Sequence, residues 1–243
     1  LSQPVNPSRG RAILLAALCF VATCCAALGQ TVDVSATVAL QRPGAKAAER
    51  GSANVVVWLT PLQGGSPAAQ PQQHYTLAQK DKMFHPHLLV VPVGSSVDFP
   101  NLDPFFHNVF SLFNGKRFDL GLYEGHSHRA VRFDREGVSY IFCNIHPDMG
   151  AVVISLSTPF YAVSQADGRI LLRHVPPGRY RLHVWAENVD LQTLNGLSRD
   201  VQVDAQNNQL GTFHLQVTAG QAASHKNKFG EDYAPAPKEI YPD

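Results

Sequence analysis

Apolar residues along this chain recur at every second position or in short unbroken runs, and seldom at the spacing of a helix face. Val32, Val34, Ala36, Val38 and Leu40 alternate with polar neighbours, which predicts a strand with one buried face. Asn54-Val55-Val56-Val57-Trp58-Leu59 is continuous, which predicts a strand buried on both faces. The stretches 41–53 and 60–73 are rich in Gly, Pro, Gln and charge and predict loops, the second of them mobile. A short strand is expected over Thr76–Gln79. Leu88–Val93 and Ser96–Phe99 form two more, joined at Gly94-Ser95. Asn101-Leu102-Asp103-Pro104 reads as a turn into a strand over Phe105–Phe113. Arg129–Phe133 alternates, Asp134–Gly137 turns the chain into Val138–Phe142, and Ala151–Leu156 follows. Short strands at this spacing, with no helical stretch over 31–157, predict a β-sandwich or barrel whose loops gather at its two ends.

Residues 158–218 read as a separate, smaller β-sandwich. Tyr161–Val163 and Arg169–Leu172 are expected to pair as a hairpin across a type I′-like turn at Asp167-Gly168. Val175-Pro176-Pro177-Gly178 turns the chain into Tyr180–Trp185, and strands are expected at Val201–Val203 and Thr212–Val217. A unit of this size is marginal alone, so it is expected to dock on the first. Residues 219–243 are polar and Pro-bearing, with few apolar positions, and read as a disordered tail.

Composition sharpens this picture. With 18 Gly and 17 Pro in 243 residues the chain is turn-rich, and a net charge of +1 gives no electrostatic case for nucleic acid. The first 29 residues have the form of a secretory signal peptide. Arg9 and Arg11 precede the apolar run Ala12–Ala22, and Ala27-Leu28-Gly29 before Gln30 is a cleavage site. The run is short for a bilayer span, so the mature form is expected to have none and to be periplasmic or otherwise exported. Of the four cysteines, Cys19, Cys24 and Cys25 fall in that leader, which leaves Cys143 alone in the mature chain. A single thiol in an exported protein has no internal disulfide partner, and metal ligation both uses and protects it.

Cys143 opens the stretch Cys143-Asn144-Ile145-His146-Pro147-Asp148-Met149. Thiolate, imidazole and thioether within seven residues form a soft-to-borderline donor set. Two His and one Cys in a trigonal plane with a weak axial Met is the blue-copper arrangement. The second imidazole must come from elsewhere, and His107, in Pro104-Phe105-Phe106-His107-Asn108, is the best candidate. Cys, His and Met at this spacing would also share a helix face, but Pro147 and the β-branched and aromatic flanks oppose a helix. Met is a poor zinc ligand, which disfavours zinc. Phe105, Phe106 and Phe142 are candidates to exclude water from the site, or simply core. His85-Pro86-His87 and His126-Ser127-His128 are H-x-H pairs, which read as exposed loop histidines or an accessory copper site. No G-x-S-x-G or Gly-rich phosphate loop occurs.

On His107-Asn108-Val109 and the Cys143–Met149 stretch, residues 30–157 resemble the cupredoxins, the type 1 copper proteins. The Cys–His–Met spacing looks most like amicyanin. The resemblance implies a Greek-key β-sandwich with one type 1 copper per chain, held by His107, Cys143, His146 and Met149. It also implies that Asn108 ties the His107 strand to the Cys143 loop. Through Ala166–Arg169 and Val175–Tyr180, residues 158–218 resemble the carboxypeptidase regulatory-like (transthyretin-like) module, which is non-catalytic. The combination resembles proteins labelled as methylamine utilisation proteins. These likenesses imply a one-electron carrier between a redox protein donor and acceptor, not an enzyme. A copper carrier, a binding module with structural copper, and a copper oxidase are the alternatives. The oxidase is disfavoured because Phe142 and Asn144, not histidines, flank Cys143.

Overall fold

The computed structural model describes residues 30–42, 44, 51–64, 74–112, 115–218 and 226–233. The leader at 1–29 and most of the two loops at 41–53 and 60–73 lie outside them. The strands are β1 (Val32–Gln41), β2 (Val56–Pro61), β3 (Tyr75–Thr76), β4 (Ala78–Lys80), β5 (Met83–His85), β6 (Leu88–Pro92), β7 (Ser95–Pro100) and β8 (His107–Ser111). They continue as β9 (Phe118–Tyr123), β10 (His128–Phe133), β11 (Gly137–Phe142), β12 (Gly150–Leu156), β13 (Tyr161–Val163), β14 (Arg169–Val175), β15 (Gly178–Trp185), β16 (Arg199–Val203) and β17 (Gln209–Gln216). The fold is all-β, as the alternation predicts. One short helix, α1 (Leu191–Leu197), was not anticipated. Its signal is local: Asp190 caps it by accepting from the Thr193 amide at 2.9 Å, and Leu191, Leu194 and Leu197 recur every third residue.

A five-stranded sheet in the order β6-β12-β11-β8-β9 faces a three-stranded sheet, β10-β7-β3. After the β8–β9 hairpin the chain crosses to place β10 beside β7, then returns as β11 beside β8. The core between these sheets holds Val97, Phe99, Val109, Phe133, Ile141 and Val153, and includes Cys143 and Met149.

The second sandwich differs from expectation in how the chain is divided. Its sheets are β14-β1-β17 and β13-β2-β15-β16, so β1 and β2, expected to belong with residues 30–157, pair with strands of the 158–218 region. β1 lies antiparallel to β14 and parallel to β17, and β2 lies antiparallel to β13 and β15. The two added strands solve the size problem: Val34, Val38, Val57 and Leu59 complete a core with Ile170, Leu182, Val184 and Phe213. The first sandwich, β3 to β12, is thus inserted between β2 and β13.

The expected hairpin of β13 with β14 does not form. A turn closes between Gln165 and Arg169, but the strands on either side enter different sheets. Gly168 sits there at φ +83°, and a Cβ on it would meet the Val38 carbonyl oxygen at 2.1 Å, so the close approach of β1 requires glycine.

β12 joins the two sandwiches. Ala151 and Val153 face the first core while Val152, Ile154 and Leu156 face the second. Burial on both faces accounts for its nearly unbroken apolar sequence.

Candidate metal centre

β8 and β11 bring the donors to one end of the first sandwich. Phe110 of β8 pairs with Phe142 of β11, and Phe142 pairs with Gly150 of β12, so the seven residues between them form the loop of a hairpin. The Cys143 amide donates to the Met149 carbonyl and the Met149 amide to the His146 carbonyl, each at 3.2 Å. These bonds fold the loop so that Cys143 and Met149 both point into the core, fully buried. His107 opens β8 and is also fully buried, while His146 is half-buried.

Three donor atoms converge here. His107 Nδ1 lies 3.1 Å from His146 Nδ1 and 3.8 Å from Cys143 Sγ, and Sγ lies 3.5 Å from His146 Nδ1. The point equidistant from three atoms so separated is about 2.0 Å from each, which is the length of a metal–imidazole bond and slightly short of a metal–thiolate bond. The donor set therefore fits a transition-metal ion in trigonal coordination without rearrangement. Among the described residues this is the one cluster of His, Cys, Asp or Glu that could hold a metal. His85, His87, His126 and His128 are exposed and join no such cluster.

Electrostatics keep the donors available. Burial pulls His107 below the ordinary imidazole range, against the opposing pull of Asp103. Burial, with the His107 ring and Lys82 close by, takes His146 down to about 4. Both rings are neutral at pH 7, with lone pairs to give. His107 Nε2 lies 2.8 Å from Asp103 Oδ2, so the proton sits on Nε2 and Nδ1 is free to coordinate. Burial raises the Cys143 thiol, while the backbone amides of Asn108, Ile145 and His146 aim at the sulfur and favour the thiolate. A bound cation would complete that ionisation.

The surroundings include residues that pattern reading missed. Burial alone would raise Asp103, but bonds from His107 and from the Lys82 and Asp81 amides outweigh it and hold the carboxylate ionised. Asn101 organises the turn, accepting from the Asp103 amide at 3.1 Å and donating to the Phe105 carbonyl at 2.7 Å. The signal was available in Asn101-Leu102-Asp103-Pro104, an Asx turn with an acid four residues before the candidate His. The Phe105 ring packs against both imidazoles, with centroids 5.3 Å from His107 and 5.9 Å from His146. Phe106 is exposed, and Phe142 packs on Phe110.

Asn108 behaves differently from expectation. Its side chain does not reach the ligand loop. It donates to Asp119 Oδ1 on β9 at 2.7 Å, and it is the Asn108 backbone amide that meets the Cys143 sulfur. Residues 226–233, expected within a disordered tail, lie instead against the ligand loop, where Tyr233 Oη donates to the Cys143 carbonyl at 2.6 Å.

No family model matches the chain, and no curated protein does. Solved structures do. A copper-containing nitrite reductase from Thermus scotoductus is 21% identical over 48% of this chain and 28% of its own, with a TM-score of 0.33. A purple cupredoxin from Nitrosopumilus maritimus is 24% identical over 35% of this chain and all of its own, with a TM-score of 0.31. A reduced amicyanin variant is 16% identical over 41% of this chain and 98% of its own, with a TM-score of 0.33. Among the described residues no helix is long and apolar enough to cross a membrane.

Proposed function

We propose that this protein is an exported, periplasmic-type copper protein that carries single electrons between a redox donor and a redox acceptor. One type 1 copper per chain would be held by His107, Cys143 and His146, with Met149 as a weaker fourth donor. The observation that carries this reading is the triangle of two imidazole nitrogens and one thiol sulfur at 3.1, 3.5 and 3.8 Å. Copper there supplies one-electron chemistry; the chain's residues hold a geometry that both oxidation states accept. Loop bonds and core packing fix the donors, so little reorganisation accompanies a change of charge. His107 is sealed while His146 is half-buried, which makes the His146 ring edge the natural port to a partner. The second sandwich, built from β1, β2 and β13–β17, is read as a non-catalytic module of the carboxypeptidase regulatory-like kind.

Among the described residues the two H-x-H pairs join no group of three or more donors, which favours a carrier over an oxidase, because a multinuclear copper cluster would need them together. The test is a visible spectrum of the chain from Gln30 onward with one equivalent of Cu(II), beside Cys143→Ser. An intense thiolate-to-copper band, bleached by reductant, restored by oxidant without metal loss and absent from the variant, is expected. A pale spectrum unchanged by the substitution removes the type 1 reading. A band that appears but loses its copper on each reduction favours a metal-delivery role instead.

A further inference from the structure

The segment Lys226-Asn227-Lys228-Phe229-Gly230-Glu231-Asp232-Tyr233 is polar, yet it is organised. Asn227 accepts from the amides of Phe229 and Glu231 through its side chain, at 2.9 and 3.0 Å, and its own amide donates to the Glu231 carbonyl at 2.9 Å. Gly230 takes φ +83° and returns its amide to the Asn227 carbonyl, and Lys226 pairs with Asp232. The segment is a small closed loop with Lys228 on one side and Tyr233 at its end.

Both of those residues grip the metal-binding end. Tyr233 Oη donates to the Cys143 carbonyl at 2.6 Å, and the Lys228 amide donates to Asn144 Oδ1 at 2.9 Å. Lys228 Nζ reaches Asp119 Oδ2 at 2.7 Å, and the other oxygen of that carboxylate accepts from Asn108. A chain of contacts therefore runs from the His107 strand through Asn108, Asp119 and Lys228 to Asn144 on the ligand loop. It joins the two halves of the site, a tie that the Asn108 side chain does not make directly.

We propose that residues 226–233 are a positioning strap for the metal-binding loop, in which Tyr233 and Lys228 hold Cys143 and Asn144 against β9 and thereby set how readily the loop opens and lets its metal go. The metal-release part rests on the copper reading; the loop-opening part does not. A loop of seven residues opens locally at lower cost than the strands do, and contacts from outside it add to its own bonds and burial in setting that cost.

The experiment compares the full chain with Tyr233→Phe and Lys228→Ala. In the metal-free proteins, amide hydrogen exchange over 143–149 is expected to quicken about fivefold in Tyr233→Phe, the effect of one lost hydrogen bond, with β15 amides unchanged. Lys228→Ala, which keeps its backbone bond to Asn144, should give a smaller rise. In the copper-loaded proteins, transfer of copper to an added chelator, followed by loss of the thiolate band, should quicken by a similar factor. Loop exchange that stays at the wild-type rate in both variants overturns the proposal. So does an acceleration equal in β15 and in the loop, which would mean general destabilisation. If the wild type takes up no copper while the loop quickens as expected, the strap stands and the copper reading falls. If copper binds and the loop does not quicken, the strap alone falls.

Discussion

Asp103 and His107 stand four residues apart in sequence and meet at 2.8 Å, with side-chain exposures of 6% and 0%. The carboxylate fixes the ring's orientation and its tautomer, and leaves Nδ1 facing Cys143 and His146. Asp103→Ala should therefore lower copper affinity by about 10–100-fold, the range for removing a partner that orients a metal-bound imidazole. Asp103→Asn, which keeps an acceptor, should lose less. Competition with a chelator of known affinity measures both, and equal affinity in Asp103→Ala and wild type would refute the assignment.

The H-x-H pairs make a separate prediction. Because His85, His87, His126 and His128 are exposed and unclustered, replacing His85, His126 and His128 together by Ala should leave the thiolate band and a stoichiometry of one copper per chain unchanged. Elemental analysis after gel filtration decides it, and a drop below one would return the pairs to the main site.

His87 is better suited to a structural role. Its Nδ1 lies 3.1 Å from the Gly150 carbonyl, and its Nε2 lies 2.6 Å from Glu187, just beyond β15 in the second sandwich. The bond to Glu187 raises the His87 pKa above its ordinary value, outweighing burial. The folded state thus binds this proton more tightly than the unfolded chain does. The stabilisation is complete below the ordinary imidazole value near pH 6.5 and fades as pH rises through the raised one. Glu187→Ala should cost about 0.5–1 kcal/mol at pH 6, the scale of a partly exposed pair, and less at pH 9. Denaturant melts at the two pH values test the sign; a cost that grows with pH contradicts it.

At Gly168 the prediction is steric. Gly168→Ala combines a left-handed backbone with a Cβ that would lie 2.1 Å from the Val38 carbonyl oxygen. A loss of at least about 2 kcal/mol is expected, from the positive φ together with displacement of β1. Gly211→Ala, at φ +84° with open space around its Cβ position, should cost only the backbone part. Equal losses at the two sites would show that β1 is not pressed against Gly168.

The cluster of His107, Cys143 and His146 was legible because its information is local: Cys143 and His146 lie on one seven-residue hairpin loop, and a further histidine at the mouth of a strand joins them. Strand existence was legible for the same reason, since alternation in Val32–Leu40 states which face is buried. It does not state which strand lies alongside. Nothing in β1 distinguishes a neighbour in the first sandwich from β14 or β17, and the pairing is decided by the shape of the assembled core. The Asp167-Gly168 turn was seen but its flanks were misjoined, because a two-residue turn signal is equally compatible with strands that part into two sheets. The strap was missed because composition alone made 219–243 look disordered. The turn chemistry of Asn227 and Gly230 was the opposing cue, and Asp103 was passed over as a mere turn residue.

The strand order also imposes a timetable. β1 precedes the other described strands, yet its partners are β14 and β17, with Val32 opposite Val175 and Gln41 opposite Gln216. Pairings this distant in the chain form slowly. The inserted sandwich is contiguous and can close before β1 finds its distant partners, but it does so with Val152, Ile154 and Leu156 bare along one flank. Until β17 arrives and the second core shuts over them, that apolar flank stays open to association between unfinished chains.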